Sequence, residues 1–269
     1  MIRVGVFGAG GRMGGEVCRA VHADPDITLV AAVDPRVAGR PVSSVAGISG
    51  VRLVVSDEAE ALLDAEADVA VDFTVAPSAL ENIRWCIRHA MHVVVGTTGI
   101  SEKEIEGMRA LLEEEGGESN VIIAPNFAIG AVLMMQFART AATWFPDVEL
   151  IEMHHAVKRD VPSGTSLAML RHILAGRSAS ESEPLPEGDW VETLPGARGA
   201  QAEGVRIHSL RLPGLVAHHE VIFGGHGQTL TIRHDSMERS SFMPGVLLAI
   251  REISKRPGLT VGLEPLLGL

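Results

Sequence analysis

The chain contains no tyrosine, and aromatic residues make up only 4% of its 269 positions. A core of this composition depends on Val, Ile, Leu and Ala, together with ten Met residues. Cysteine is almost as scarce, since Cys18 and Cys86 are the only two and they form no Cys-x-x-C pair. The sequence therefore offers no cysteine pair for structural zinc or for disulfide exchange, and it fits a reducing compartment.

Positively charged residues are also fewer than negatively charged ones. Lys and Arg together number 23 against 34 Asp and Glu, which gives a formal net charge of −11. Nucleic-acid binding needs a basic face, so this composition argues against a nucleic-acid partner. An anionic small molecule would be repelled by the average field of the protein. Its site would need a local cluster of Arg, Lys and His.

Long apolar runs are missing as well, because no segment approaches the roughly 20 residues that a membrane-spanning helix needs. The first residues, MIRVGVFG, predict a strand rather than a signal peptide. We therefore expect a cytoplasmic protein without a membrane partner.

The first half of the chain alternates short β-branched segments with helical patterns. This alternation predicts βαβ units and an α/β domain whose parallel sheet is covered on both faces. The expected strands are residues 3–7, 28–33, 51–55, 68–73, 92–95 and 121–124, and the expected helices are residues 11–22, 78–89 and 102–115.

The βαβ alternation stops after Asn126, and the second half predicts a different kind of domain. Helices are expected over residues 129–144 and from Gly164, with strands over residues 149–153, 206–212, 216–223 and 229–234. Residues 177–204, rich in Ser, Glu, Pro and Gly, predict a long surface loop. We expect an α+β domain with an open mixed sheet over residues 128–237. The other domain would cover residues 1–127 plus 238–269, with a C-terminal helix over residues 242–255 folding back onto it.

A glycine-rich loop follows the first expected strand. Gly8, Gly11 and Gly14 recur at every third position, Gly10 is an additional glycine, and Met13 stands where a strict G-x-G-x-x-G motif ends. Small residues between a strand and a helix let the backbone approach a pyrophosphate and present helix N-terminal amides to it. This order predicts a Rossmann-like dinucleotide-binding domain. A purely structural turn is the alternative.

Asp34 ends the second expected strand, where a carboxylate can accept hydrogen bonds from an adenosine ribose. The same carboxylate would repel a 2′-phosphate. Arg12 and Arg36 are close enough in sequence to soften that repulsion, although Arg36 can also be read as a solvated loop charge. We expect NADH to be preferred and NADPH to be tolerated.

The segment after the expected strand at 149–153 contains a local cluster of His and Lys, which an acidic protein needs in order to bind an anion. His154 and His155 are followed by Lys158, and a Pro-Ser-Gly-Thr sequence then opens a helix. Ser163 and Thr165 suit a helix start, whose free amides can bind a carboxylate. A surface histidine pair next to an ordinary helix cap is the structural alternative. Zinc binding by the two histidines is not expected, because neighbouring strand residues point to opposite faces and no third ligand has a matching spacing.

These segments resemble the 4-hydroxy-tetrahydrodipicolinate reductase family. Residues 152–165 match the family's signature E-x-H-H-x-x-K-x-D-x-P-S-G-T, although Val161 replaces a more usual alanine and Ala156-Val157 replaces residues that are basic in some relatives. The likeness covers nearly the whole chain and is greatest to actinobacterial members. The other matching motifs are residues 4–14, Asp72-Phe73-Thr74, Gly96-Thr97-Thr98-Gly99 and Pro125-Asn126-Phe127.

The resemblance implies an NAD(P)H-dependent reductase that converts 4-hydroxy-tetrahydrodipicolinate to tetrahydrodipicolinate in lysine and diaminopimelate biosynthesis. It makes His154 the proton donor and Lys158 the second catalytic cation. It also implies a homotetramer that associates through the sheets of its second domains. The implied substrate-binding residues are His155, Ser163, Gly164 and Thr165. The implied dinucleotide contacts are Gly8, Ala9, Gly10, Gly11, Arg12, Met13, Asp34, Gly96, Thr97, Thr98, Ala124, Pro125, Asn126 and Phe127.

Two alternatives remain open at this point. One is another two-domain oxidoreductase, such as a semialdehyde or homoserine dehydrogenase, although acylating chemistry needs a cysteine nucleophile in a suitable loop. The other is a non-catalytic dinucleotide sensor, which predicts a degraded segment at residues 152–165. Three further cations are candidates either for substrate contact or for ordinary sheet and loop roles: Arg198, Arg211 and Arg233.

Overall fold

The computed structural model of the chain describes residues 1–178 and 191–269. Within them the strands are β1 (Ile2–Phe7), β2 (Ile27–Val33), β3 (Val69–Asp72), β4 (His92–Val95), β5 (Val121–Ile123), β6 (Asp147–His154), β7 (Ala200–Ala202), β8 (Val205–Arg211), β9 (Ala217–Gly225), β10 (Gln228–Ser236) and β11 (Leu259–Val261). The α-helices are α1 (Arg12–Ala23), α2 (Val42–Ala46), α3 (Glu60–Asp64), α4 (Ala76–Arg88), α5 (Glu102–Glu114), α6 (Ile129–Ala142), α7 (Gly164–Arg177), α8 (Met243–Glu252) and α9 (Glu264–Leu267). Short 3-10 helices span Pro35–Val37, Arg239–Phe242 and Ile253–Lys255.

The chain divides into two compact units. The first comprises Met1–Ala128 and Phe242–Leu269, and the second comprises Ile129–Ser241. Residues 238–241, which the sequence placed with the first domain, lie in the second unit. Helix α8 lies in the first unit. In the described part of the chain, no helix has the length and apolar character needed to cross a membrane.

The first unit contains a six-stranded sheet with the order β11-β5-β4-β3-β1-β2. All neighbouring strands in this sheet run parallel. Strands β3 and β4 are apolar along almost their whole length, and the side chains of Val71 and Val94 are fully buried. This composition is typical of strands covered on both faces. The α/β prediction is confirmed.

One local prediction in this unit was wrong, and one strand was not predicted. Residues 51–55 do not form a strand, because the bridge within them is the isolated pair of Pro41 and Val54, and the neighbouring bridge of Val33 to Ser56 is isolated as well. Val54 is 56% exposed, so its β-branched side chain has no pleated surface to pack on, and propensity alone does not hold a strand. Conversely, β11 was not expected, and it pairs with β5 at the sheet edge.

The second unit contains a five-stranded mixed sheet with the order β10-β9-β6-β8-β7. Strand β6 runs parallel to β8 and antiparallel to β9, which confirms the mixed sheet. Strand β7 lies inside the expected loop at 177–204 and pairs antiparallel with β8. Its sequence, Ala-Gln-Ala, gave no strand signal. Residues 179–190 of that expected loop lie outside the described residues.

One face of the second sheet carries the core that packs with α6 and α7. Strand β6 contributes Val148 and Leu150 to this core, and both side chains are buried. The same alternation continues to Glu152 and His154, which are buried too. The inner face therefore changes from apolar to polar along β6, and polar side chains gather where the hydrophobic core ends.

Candidate active site

The glycine loop lies between β1 and α1, and Gly8 and Gly14 are required there for different reasons. Gly8 has φ +75°, a conformation that favours glycine. A Cβ on Gly14 would lie 2.0 Å from the carbonyl oxygen of Gly8, so the helix start rests directly against the loop. Helix α1 has no side-chain cap at its start and no acidic residue in its first turn. Its first amides therefore remain available for an anion, which fits a dinucleotide pyrophosphate.

Asp34 lies next to this loop with its side chain buried. Its Oδ2 accepts a hydrogen bond from the Gly10 amide at 3.0 Å, and the Arg36 guanidinium also lies 3.0 Å from Oδ2. Burial acts to raise the pKa of Asp34, but the hydrogen bonds and charge of Arg36 outweigh it and hold the pKa below its ordinary value. Arg36 is 75% exposed, so one side of this ion pair faces solvent. Asp34 is thus an ionised carboxylate whose charge Arg36 partly compensates.

Asp72 joins the loops that follow β3 and β4. Its side chain is fully buried, and Oδ1 accepts hydrogen bonds from the amide and hydroxyl of Thr74 and from the hydroxyl of Thr97. Its Oδ2 accepts a hydrogen bond from Asn82 at 2.7 Å. The carboxyl ends of parallel strands are where open α/β sheets bind ligands. Asp72, which the sequence placed in a motif but not among the site residues, therefore holds two of the expected dinucleotide loops in place.

The other expected dinucleotide contacts differ in which part of the residue can reach a ligand. The side chains of Ala9, Ala124 and Phe127 are buried, so only their backbones are available. A Cβ on Gly96 would lie 2.1 Å from the ring of Phe73, so this position must lack a side chain. At Ala9, Gly96, Ala124 and Phe127 a ligand can therefore reach only backbone atoms, which suits close approach of a dinucleotide.

In the second unit, His154 and Glu152 form a buried pair at the end of β6. Glu152 Oε2 lies 2.5 Å from His154 Nδ1, and Glu152 Oε1 accepts a hydrogen bond from Arg211 at 2.7 Å. Burial acts to raise the pKa of Glu152, but contacts with His154, Arg211 and Ser209 outweigh it and bring the pKa to about 2. Glu152 is therefore an ionised carboxylate inside the protein.

His219 of β9 completes this cluster. It is the cross-strand partner of Glu152, and its ring stands edge-on to the ring of His154, with centroids 5.3 Å apart. Burial lowers the pKa of His219 to about 4, helped by the nearby charge of His154. Its Nε2 lies 3.2 Å from Ser163 Oγ, and Ser163 caps α7 by accepting from the Ser166 amide. His219 thus connects the strand that bears the histidine pair with the start of α7.

The segment between β6 and α7 places the remaining expected residues. Lys158 Nζ lies 2.8 Å from the carboxylate of Asp160. The hydrogen bond from Lys158 lowers the pKa of Asp160 most, and the amide of Gly164 adds to the effect. His155 is exposed, and Thr165 is half-buried in the first turn of α7. The carboxylate of Asp160 therefore lies between the ammonium group of Lys158 and the first amides of α7.

Glu152, His154 and His219 each offer a ligand atom, and these atoms lie within 4.8 Å of one another. His155 is exposed and outside this group, and His219 is brought to it by strand pairing rather than by sequence spacing. The carboxylate is, however, already paired with Arg211 at 2.7 Å. A metal cation would have to bind beside that guanidinium, which costs electrostatic energy. The arrangement suits the holding and transfer of a proton better.

The three further cations fall on different faces of the second sheet. Arg211 lies on the inner face with Glu152, whereas Arg198 pairs with Glu149 at 2.6 Å. Arg233 bonds to the carboxylates of Glu220 and Asp235. On their strands, Glu149, Glu220 and Asp235 alternate with inner-face residues, so these three carboxylates lie on the outer face of the sheet. Among these cations, only Arg211 joins the His154 cluster.

Comparison with known families identifies the family to which the chain belongs. A model described as dihydrodipicolinate reductase, N-terminus, matches residues 2–127, and one described as dihydrodipicolinate reductase, C-terminus, matches residues 130–267. The chain belongs to the dihydrodipicolinate reductase family. Its first unit is thus a dinucleotide-binding domain of Rossmann-like build, and the chain is an oxidoreductase.

Relatives within the family match over the full length. The 4-hydroxy-tetrahydrodipicolinate reductase of Mycobacterium sp. (strain KMS) is 48% identical over 269 residues, which is 100% of both chains. That of Thermobifida fusca (strain YX) is 49% identical over 270 residues, again 100% of both chains. Both names agree with the resemblance drawn from the sequence.

Solved structures give the same result. The dipicolinate-bound dihydrodipicolinate reductase from Paenisporosarcina sp. TG-14 has a TM-score of 0.84 and 39% identity, covering 98% of this chain and 99% of that one. An amine dehydrogenase from Mycobacterium smegmatis has a TM-score of 0.67 at 16% identity, covering 96% of this chain and 94% of that one. The second likeness concerns the fold alone.

Proposed function

We propose that the chain catalyses the reaction for which its full-length relatives are named, the reduction of 4-hydroxy-tetrahydrodipicolinate to tetrahydrodipicolinate in lysine and diaminopimelate biosynthesis. The observation that carries the proposal is the buried His154–Glu152 pair next to the start of α7. A non-catalytic sensor would have no need to keep an ionised carboxylate buried against a histidine, because burying charge costs free energy. Bound reduced nicotinamide supplies the hydride.

His154 is the proposed proton donor. Its ring is 8% exposed at the end of β6, so it is shielded from bulk water yet not sealed inside the core. A histidine can give and take a proton near neutral pH, which suits the proton that a reduced C=N bond requires. Lys158 is the proposed second catalytic cation and lies close by in the same segment.

The substrate carboxylates are proposed to bind at the start of α7. In addition to Lys158 and His155, the residues that would hold them are Ser163, Gly164 and Thr165. The contact of Lys158 with Asp160 supports this proposal, because it places a carboxylate between a lysine and a helix N-terminus. In a protein with a net charge of −11, such a local arrangement is needed to attract a dianionic substrate.

NADH is the proposed preferred cofactor, with NADPH tolerated. The buried carboxylate of Asp34 can accept hydrogen bonds from ribose hydroxyls, and it disfavours a 2′-phosphate by charge. The exposed guanidinium of Arg36 lies on the same carboxylate and reduces this repulsion. Both cofactors are therefore expected to bind at one site.

The chain is further proposed to act as a cytoplasmic homotetramer. The face of the second sheet opposite α6 and α7 carries partly exposed apolar side chains, including Leu210, which is 37% exposed. Burial of such a face against another copy would remove apolar surface from water. Light scattering coupled to gel filtration checks the mass.

The test of the reaction is oxidation of NADH and NADPH in a coupled assay. A separate synthase condenses pyruvate with aspartate semialdehyde in the cuvette, and the absorbance of the reduced cofactor is followed. Synthase-dependent oxidation with kcat/KM above about 10⁴ M⁻¹s⁻¹ is expected with at least one cofactor. Oxidation that does not depend on the synthase would indicate a different substrate. Cofactor binding without any oxidation would favour the sensor.

A further inference from the structure

We propose that Glu152 is a positioning residue for the reduction. It holds the ring of His154 with one proton on Nδ1, so that the second proton of the protonated ring lies on Nε2 and is the one transferred to the substrate. The inference rests on the proposed role of His154 as proton donor. Glu152 is part of the motif at residues 152–165, and neither the motif nor the family comparison gives it a role.

The burial of Glu152 argues for a specific task. Its side chain is 0% exposed, and a carboxylate in that position is tolerated only when it is paired. Arg211 pairs with Oε1, and Oε2 has no aligned hydrogen bond within the described residues. Its near neighbour is His154 Nδ1, 2.5 Å away, which also lacks an aligned partner. Each atom therefore depends on the other, and a small rotation of the ring aligns the N–H with the carboxylate.

Two neighbours limit the orientation of the His154 ring. Its Nδ1 faces Glu152 on the same strand, and the edge-on ring of His219 lies beside it from β9. Nε2 lies on the far side of an imidazole from Nδ1, and it makes no hydrogen bond to any described residue. A carboxylate on Nδ1 keeps one proton there, as carboxylates do for other functional histidines, so the protonated ring gives up its Nε2 proton and is left as the Nδ1–H tautomer.

The charges around His154 give Glu152 a second effect. Arg211 faces the pair from β8, His219 from β9, and Lys158 from the following segment, while His234 of β10 lies opposite His219. Glu152 is the carboxylate among these groups, so it is the group that favours a positive charge on His154. Without it, a protonated ring would face other cations with no compensating charge.

A purely structural role for Glu152 predicts something different. The carboxylate would then serve to tie β6 to β8 through Arg211, and its loss would weaken the fold or lower activity equally at every pH. A positioning role predicts a change in the pH dependence of kcat and a dependence on His154. The two readings can therefore be separated by experiment.

The experiment compares Glu152→Gln with the matched control Glu149→Gln in the coupled assay between pH 6 and pH 10. Glu149 is also on β6, but it faces outward and pairs with Arg198 and His208. In Glu152→Gln, kcat should fall about 100-fold, and the pH at which activity is half lost on the alkaline side should drop by about one unit. Glu149→Gln should change neither quantity. A parallel loss at all pH values in Glu152→Gln would overturn the proposal.

A double variant tests whether Glu152 acts through His154. If Glu152 acts through that ring, adding Glu152→Gln to His154→Gln should lower kcat by less than twofold more. A further large loss would overturn the proposal. Should Glu152→Gln fail to fold, Glu152→Asp keeps the charge and is judged by the same double variant. Full activity in His154→Gln would instead refute the proposed role of His154, which separates failure of the proposed function from failure of this inference.

Discussion

Ser163 and His219 join the start of α7 to strand β9, with 3.2 Å between Ser163 Oγ and His219 Nε2. The same histidine ring stands edge-on to His154. One buried imidazole thus supports both the helix start proposed to bind carboxylate and the proposed proton donor. A second positive charge at this place would lie close to His154 and Lys158, so the arrangement requires a neutral His219.

This requirement predicts that stability falls as pH is lowered from neutrality. Burial lowers the pKa of His219 to about 4 from an ordinary 6.5. Between these two values the unfolded chain takes up a proton that the folded protein does not, so each step down in pH favours unfolding. Above pH 6.5 the effect is absent, and below pH 4 it is complete. Between pH 7 and pH 5 the expected loss is about 2 kcal/mol.

The measurement is the free energy of unfolding in urea at both pH values and at fixed protein concentration, for wild type and for His219→Gln. Other histidines titrate in both proteins, so the informative quantity is the difference between their two losses. Exposed His226 provides the control variant His226→Gln, which should behave as wild type. An equal loss in wild type and His219→Gln would contradict the prediction.

The glycine loop offers a matched pair of adjacent positions. A Cβ on Gly14 would lie 2.0 Å from the Gly8 carbonyl oxygen, whereas the nearest atom to a Cβ on Gly15 is 3.8 Å away. We expect Gly14→Ala to destabilise the first unit by about 2 kcal/mol and to weaken NADH binding at least tenfold, because α1 must move away from the loop. Gly15→Ala should be neutral, or stabilising by up to about 1 kcal/mol, since alanine favours a helix.

Thermal unfolding and NADH fluorescence titration measure both effects on the two variants. If Gly14→Ala binds NADH as wild type does, the close packing of Gly8 and Gly14 is not required for the dinucleotide. The proposed role of the loop would then be wrong.

Arg36 is predicted to determine how well NADPH is tolerated. Its guanidinium lies 3.0 Å from Asp34 Oδ2 and compensates that charge. Removal in Arg36→Ala leaves the carboxylate facing a 2′-phosphate, so the KM for NADPH should rise about tenfold while that for NADH changes less than threefold. Steady-state kinetics with both cofactors measure the ratio. Arg40→Ala removes a nearby exposed charge and serves as the control; the same change in both variants would refute a specific role.

The sequence predicts the fold well where local patterns and packing agree. Strands β3, β4 and β5 are apolar runs between helices, and such runs form a buried parallel sheet. The prediction fails where pairing decides the outcome. Residues 51–55 have strand propensity without a continuous partner, whereas β7 and β11 each have three residues and depend on their neighbours.

The sequence likewise predicts the part of the candidate site that is continuous in the chain, and not the part that strand pairing brings in. The segment from Glu152 to Thr165 is continuous, so its histidines, lysine and helix start are visible as a motif. Arg211 lies 59 residues beyond Glu152, and the two meet only because β8 pairs with β6. His219 likewise reaches the site through pairing of β9 with β6. The alternation Val148-x-Leu150-x-Glu152-x-His154 was the one available signal, since it places two polar residues on a core face.

The proposed roles of His154 and Lys158 make the sharpest prediction. His154→Gln and Lys158→Ala should each lower kcat by about 10² to 10⁴, because a positioned proton donor or cation acts on the reacting substrate. The Kd of NADH should stay within about threefold of wild type, since the dinucleotide loops belong to the first unit. Lys158→Ala should also raise the KM of the substrate, because its Nζ is held where a carboxylate binds.

Coupled-assay kinetics and NADH titration on the same preparations measure these quantities. Arg159→Ala removes the exposed charge next to Lys158 and is the control, with kcat expected within about twofold of wild type. If either catalytic variant loses NADH affinity as strongly as kcat, its side chain serves cofactor binding instead. If Arg159→Ala matches Lys158→Ala, the segment contributes only general positive charge, because two cations of different position would then be interchangeable.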